Sequence, residues 1–129
     1  MLFLDSSVLI AFFSNNEECH ERAVVLLNGA ASENLVVSDH VLDEVMTFLA
    51  RRIGGEAAFD AGQELLSTPN VELAFASGPD LQQAMFLVKK HGFSLCDGLS
   101  VSLMRRLGLR KIVSFDSDFD KISGVSRIR

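Results

Sequence analysis

The chain has no tryptophan, no tyrosine, two cysteines and two prolines in 129 residues. Cys19 and Cys96 lack CxxC spacing, so neither a disulfide framework nor a zinc knuckle is indicated, and both read as small buried hydrophobes. No apolar run approaches the roughly 20 residues that span a bilayer, and the start, MLFLDSSV, lacks a basic leader and a small-residue cleavage site. A cytoplasmic protein with no membrane segment is expected. P-loop, HExxH and GxSxG motifs are all missing, which removes the parts required for nucleotide hydrolysis, zinc proteolysis and serine hydrolysis. Without a linker, a repeat or a low-complexity tract, residues 1–129 read as a single domain, and 48% apolar residues can fill one core.

Acids stand at telling places. Asp5 in LFLDSS, Glu44 in SDHVLDEV, Asp97 in SLCDGL, and Asp116 with Asp118 in VSFDSDF all fall where strands hand over to helices. The formal net charge is −5, and these five acids account for all of it, so the remaining surface is balanced and the acidity does not exclude a nucleic-acid partner. Carboxylates gathered at one sheet edge repel one another unless a divalent cation sits among them.

The element pattern alternates. LFLD reads as a buried strand, VLIAFF opens a helix, a second helix covers about residues 16 to 31, and LVVS is the next strand. Ser38 caps a helix reaching Ile53, closed by Gly54 and Gly55. Another helix covers about 56 to 67, VELAFA has strand composition, and Pro79 to Lys90 is helical with Gly92 as the stop. Ser94 caps a helix to Leu107, KIVSF is a strand, and VSRIR is a last edge strand. Such alternation implies a mainly parallel sheet of four or five strands covered by helices on both faces. Ligands then bind beyond the carboxyl ends of the strands, where strand order reverses. On helix wheels, Val41, Leu42, Val45, Leu49 and Ile53 form one apolar stripe with Glu44 on its flank. Leu95, Leu99, Leu103 and Leu107 form another, with Asp97 at its edge.

Each acid also has a purely structural explanation. Asp5 can cap a helix, Ser94 to Asp97 matches a capping box, and Asp116 with Asp118 suits an Asx-type turn. Capping explains why acids begin helices but not why they converge on one sheet edge. The DxDxD spacing of Asp116, Asp118 and Asp120 fails as an EF-hand, since Lys121 replaces the glycine and Arg127 the bidentate glutamate.

The chain resembles the PIN-domain family, most closely its short VapC-type toxins, over nearly its whole length. LFLDSSVLIA, SDHVLDEV, SLCDGLSVSLMRRLG and IVSFDSDFDKI carry the resemblance. It implies a three-layer α/β/α fold and a metal-dependent ribonuclease, the toxin of a toxin and antitoxin pair. Asp5, Glu44, Asp97 and Asp116 match the family's four acids and Asp118 a more variable one. Gly98 departs from the common alanine, and no basic tail is evident for gripping RNA. Implied partners are RNA, a cognate antitoxin and a second copy of the chain. The implied cofactor is Mg²⁺, with Mn²⁺ able to substitute, because hard cations prefer carboxylate and water oxygens.

Asp5 and Asp97 are the first choice as direct ligands. Asp116, Glu44 and Asp118 would act through water, hold a second ion or orient the nucleophile, and Ser6 would support the shell by hydrogen bonding. Arg51, on the flank of Glu44, is the best RNA contact among the paired charges Arg51 and Arg52, Lys89 and Lys90, Arg105 and Arg106, and Arg110 and Lys111. His40 reads as a first-turn surface residue, His20 and His91 as uninvolved, and Phe12, Phe13 and Phe48 as core or interface. Two alternatives stay open: a phosphoacceptor receiver, and a PIN-like RNA-binding module without turnover.

Overall fold

The computed structural model describes residues 1–129. In chain order the elements are β1 (Leu2–Leu4), α1 (Ser6–Phe13), α2 (His20–Gly29), β2 (Leu35–Ser38), α3 (Asp39–Arg52), α4 (Gly55–Ser67), β3 (Val71–Ala74), α5 (Gly78–His91), α6 (Leu95–Arg106), β4 (Lys111–Val113) and β5 (Ser126–Ile128). A 3₁₀ turn at Ser117–Lys121 precedes β5. The five strands form one sheet in the order β3-β2-β1-β4-β5, and every neighbouring pair is parallel. Strands β1 and β2 are buried along their whole length, as short apolar runs covered on both faces must be, whereas the edge strands β3 and β5 are partly exposed. No helix is long and apolar enough to cross a membrane.

The order fixes where a site can form. From β1 the chain winds outward through β2 to β3, then returns to the other side of β1 for β4 and β5. The reversal therefore lies between β1 and β4, and the residues leaving those strands face a shared crevice.

Two expectations need correction. The second helix is shorter than 16 to 31, because the chain turns at Asn15 and Asn16, with Glu17 N–H bonded to Ser14 C=O, before α2 starts at His20. Helix α6 does not present a single leucine stripe. Every residue from Gly98 to Met104 is buried, while Leu95 and Leu107 at its ends are exposed. It packs against α5 and α3 and gives Val101, Leu103 and Met104 to the core, so burial runs around its middle turns.

Helix α5 lies very close to α6. A Cβ on Gly98 would come 2.9 Å from the Ala84 carbonyl oxygen, so the larger alanine is excluded by backbone. Asp80, buried in the first turn of α5, accepts from Ser77 N–H and Oγ and from Arg106 Nε of α6 at 3.0 Å, while Arg106 Nη2 also donates to Phe75 C=O. Burial alone would raise the Asp80 pKa. The Ser77 and Arg106 hydrogen bonds outweigh it and hold the carboxyl below the usual carboxylate range. Gly92, in the left-handed region at φ 71°, stops α5 and frees the chain to cap α6 with Ser94.

Candidate active site

Asp5 follows β1 directly and caps α1 through Ser7 N–H. It is almost fully buried, and three donors converge on one of its oxygens: Ser7 N–H, Ser7 Oγ and Ser114 Oγ, the last at 2.7 Å, all to Oδ2. Burial pushes the Asp5 carboxyl up, with the two hydroxyls opposing. Ser114 ends β4 and also accepts from Asp116 N–H at 2.9 Å, while Ser7 Oγ accepts from Phe115 N–H at 3.0 Å. The two hydroxyls thus stitch the end of β1 to the end of β4 at the reversal of strand order.

The hydroxyl that supports Asp5 is that of Ser7, not Ser6. Ser6 is buried at the start of α1 and its hydroxyl makes no hydrogen bond to the acids, since in the first turn it is the second residue that lies alongside the capping side chain.

Asp116 caps the 3₁₀ turn, its Oδ1 accepting from Asp118 N–H at 2.8 Å. Asp97, in the first turn of α6, accepts from Ser94 Oγ through Oδ2 at 2.6 Å. Glu44, one turn into α3, accepts from Cys96 Sγ through Oε2 at 3.1 Å. In Asp97, Asp116 and Glu44 one carboxylate oxygen is engaged by a protein donor and the other receives no hydrogen bond. Burial raises the Asp97 pKa, the Ser94 hydroxyl opposes, and the charges of Asp5, Asp116 and Glu44 raise it further. Cys96, between Glu44 and Asp97, is pushed strongly upward by burial and by Glu44, and stays a thiol. Four acids separated by up to 111 positions therefore share one electrostatic environment.

Asp118 stands apart. It is paired with Lys121 and does not figure among the charges acting on Asp97.

His40 is the residue that sequence reasoning missed most clearly. Its side chain is only 13% exposed, and Nε2 lies 3.1 Å from Ser38 Oγ and 3.3 Å from Ser100 Oγ. It ties the end of β2 to the middle of α6. Burial lowers its pKa, while Asp39 and Glu44 oppose, so the ring is held towards its neutral form. Nδ1 is 3.4 Å from Asp39 Oδ1 but misaligned, leaving that buried nitrogen without a hydrogen bond. Nothing local marks His40 or Ser114 as structural bridges, because their partners lie 60 and 109 positions away.

Beside the acids, a groove of about 590 Å³ runs between α3 and α6. Arg51 lies in it, with Phe48 and Arg52, as well as Glu44 and His40.

The donor set is one of carboxylate oxygens, which suits a hard divalent cation. No three acid, histidine or cysteine side chains form a ready-made cage.

The sheet is parallel, and carboxylates from the end of β1, from α3, from α6 and from the segment after β4 act on one another near its strand-order reversal. The PIN domain model matches residues 2–125, and the chain belongs to that family. It is 34% identical over 124 residues to the 23S rRNA-specific endonuclease VapC20 of Mycobacterium tuberculosis, covering 92% of each chain. The crystal structure of VapC20, described as a Sarcin-Ricin loop cleaving toxin, superposes with a TM-score of 0.86 at 28% identity over 94% of both chains. Ribonuclease VapC26 of the same organism is 29% identical over 118 residues, covering 89% of this chain and 86% of its own. The fold is also that of VapBC2 from Rickettsia felis bound to a promoter DNA fragment, with a TM-score of 0.75 at 16% identity over 99% of this chain and 98% of that one.

Proposed function

We propose that this protein is a metal-dependent endoribonuclease, the toxin of a toxin and antitoxin pair, acting in the cytoplasm. The observation that carries the reading is the set of four carboxylates, Asp5, Glu44, Asp97 and Asp116, each of which keeps one oxygen without a hydrogen bond. Family membership and the ribonuclease relatives support it. Asp5 and Asp97 would hold the cation directly, and Asp116 and Glu44 would do so through water or beside a bound phosphate. When bound, Mg²⁺ or Mn²⁺ polarises the phosphodiester and makes water a better nucleophile. The chain's own residues position and restrain. Ser7 and Ser114 hold Asp5 by one oxygen and leave the other without a hydrogen bond, Ser94 does the same for Asp97, and Cys96 steadies Glu44. In-line attack by water on phosphorus breaks the P–O3′ bond, leaving a 5′-phosphate and a 3′-hydroxyl. Asp118, already paired with Lys121, has only an outer role in orienting water.

The receiver alternative fails on topology, since the strand order of CheY-like receivers is 2-1-3-4-5 whereas this sheet runs 3-2-1-4-5. RNA is the substrate, and a cognate antitoxin and a second copy of the chain are the partners. The test is cleavage of total RNA with Mg²⁺ or Mn²⁺, with chelator, and with Asp5→Asn and Asp97→Asn. Cleavage that needs the ion and falls about 100-fold or more in both variants is expected, in keeping with loss of a main electrostatic element. Binding of RNA without metal-dependent cleavage would instead identify an inactive module.

A further inference from the structure

Arg127 stands where a calcium loop built on Asp116, Asp118 and Asp120 would need its bidentate glutamate, and the same arginine turns back onto that acidic run. It is the middle residue of β5, paired with Ile112 of β4. An arginine on an edge strand ordinarily reaches into solvent. This side chain is only 3% exposed. Its Nε donates to Asp120 Oδ1 at 2.9 Å and its Nη2 to Asp120 Oδ2 at 2.6 Å, the two-pronged match of guanidinium to carboxylate, while Nη1 donates to the Ser114 carbonyl at 3.3 Å. In a 3₁₀ turn residues three apart share a face, so Lys121 meets Asp118 and Asp120 is left to Arg127.

The two contacts lie at the two ends of one segment. Between them stands Asp116, whose N–H is held by the Ser114 hydroxyl and whose Oδ1 accepts from Asp118 N–H, and the same hydroxyl donates to Asp5. We propose that Arg127 is a positioning residue of the acid site: by gripping the Ser114 carbonyl and the Asp120 carboxylate it fixes the span between them, and with it the place of Asp116 and, through the Ser114 hydroxyl, of Asp5. The assignment rests on the nuclease reading and adds a residue that acts on the reaction only through others. The hydrogen bond to Asp120 raises the Arg127 pKa and the charges of Asp120 and Asp116 add to it, so Asp116 lies within electrostatic reach of the guanidinium. Lysine could supply that charge but not the planar fork that spans two acceptors. Charge and position also act on a bound cation with opposite signs. Removing a nearby positive charge alone tightens metal binding, whereas a displaced acid weakens it.

The experiment compares the parent with Arg127→Lys, Arg127→Gln and Asp120→Asn, each at a temperature where circular dichroism shows it folded. In the metal-free chains, amide hydrogen exchange is followed at Phe115, Asp116 and Asp118 and, as reference, at Phe3 and Val36 in the buried central strands. Arg127→Lys should speed exchange at the first three about tenfold and leave the central strands unmoved, as a local opening does. Mn²⁺ affinity, read by electron paramagnetic resonance, should fall about tenfold in both Arg127 variants, and kcat for RNA cleavage by a similar factor with KM little changed. Asp120→Asn keeps an acceptor without the ion pair, should give smaller losses in the same direction, and carries the test if the Arg127 variants unfold. Faster exchange across the whole sheet, with Mn²⁺ affinity and kcat unchanged, would make Arg127 a strap for stability alone and overturns the proposal. So does full retention of Mn²⁺ affinity and kcat in Arg127→Lys, or tighter Mn²⁺ binding in Arg127→Gln, either of which would leave only the charge at work. Absence of metal-dependent cleavage by the parent counts against the nuclease reading instead, and the exchange measurement still decides what Arg127 holds.

Discussion

Helix α6 meets two neighbours in opposite ways. Against α5 it is pressed so close that Gly98 has no room for a methyl group, and the half-exposed Arg106 clamps the buried Asp80. Against α3 it is held off by polar bridges, His40 to Ser100 and Cys96 to Glu44, with an open groove between. The close side fixes where α6 starts, and so where Asp97 stands. The open side leaves a channel beside it. A rigid wall and an adjustable one on the same helix are what a site needs if its carboxylates must be set to within a fraction of an ångström yet remain reachable by a polymer.

The contrast can be broken from either side. The largest stability effect is expected on the close side: Arg106→Ala removes charge-assisted hydrogen bonds from a buried carboxylate and should cost about 2–3 kcal/mol in chemical denaturation. Next, Gly98→Ala forces α5 away and should cost about 1–2 kcal/mol, with a matching fall in melting temperature. On the open side, Ser100→Ala deprives His40 of one partner and should cost about 1 kcal/mol while lowering cleavage more than stability alone explains. If the two sides prove equally sensitive in stability and in activity, the division between them is wrong.

The smallest effects concern pH and have opposite signs. The Asp80 pKa is depressed in the folded state, so its contribution is present above the unfolded value of about 3.8 and is lost as pH falls through the lower folded value. The Asp5 and Asp97 pKa values are raised, so their contribution is present below about 3.8 and is lost as pH rises through the folded values. At pH 7 without metal, Asp97→Asn should therefore melt slightly higher than the parent. An unchanged or lower melting point, with no Asp97 titration above 3.8 by NMR, would contradict the shared electrostatic environment.

Much of this was legible in the chain. Asp5 announces itself because it directly follows a short apolar strand and Asp116 because it stands three residues beyond another, and Ser38, Ser94 and Gly92 punctuate helices by local rules. What was not legible depends on distant packing. The leucine spacing of α6 reports one face only, whereas α6 packs against both α5 and α3. Ser7 outranks Ser6 because of where β4 places Ser114, and His40 is buried because α6 crosses it; no local window contains either partner. Gly98 departs from the family's common alanine, and the Ala84 carbonyl supplies the cause.

On the proposed function, carboxylates that follow β1 and β4 and others from α3 and α6 jointly hold a divalent cation. Mn²⁺ binding followed by electron paramagnetic resonance, comparing the parent chain with Asp5→Asn, Asp97→Asn and the exposed control Asp60→Asn, addresses it directly. One saturable class of site is expected in the parent and the control, weakened tenfold or more by either of the first two changes. Equal Mn²⁺ affinity in all four proteins would contradict it.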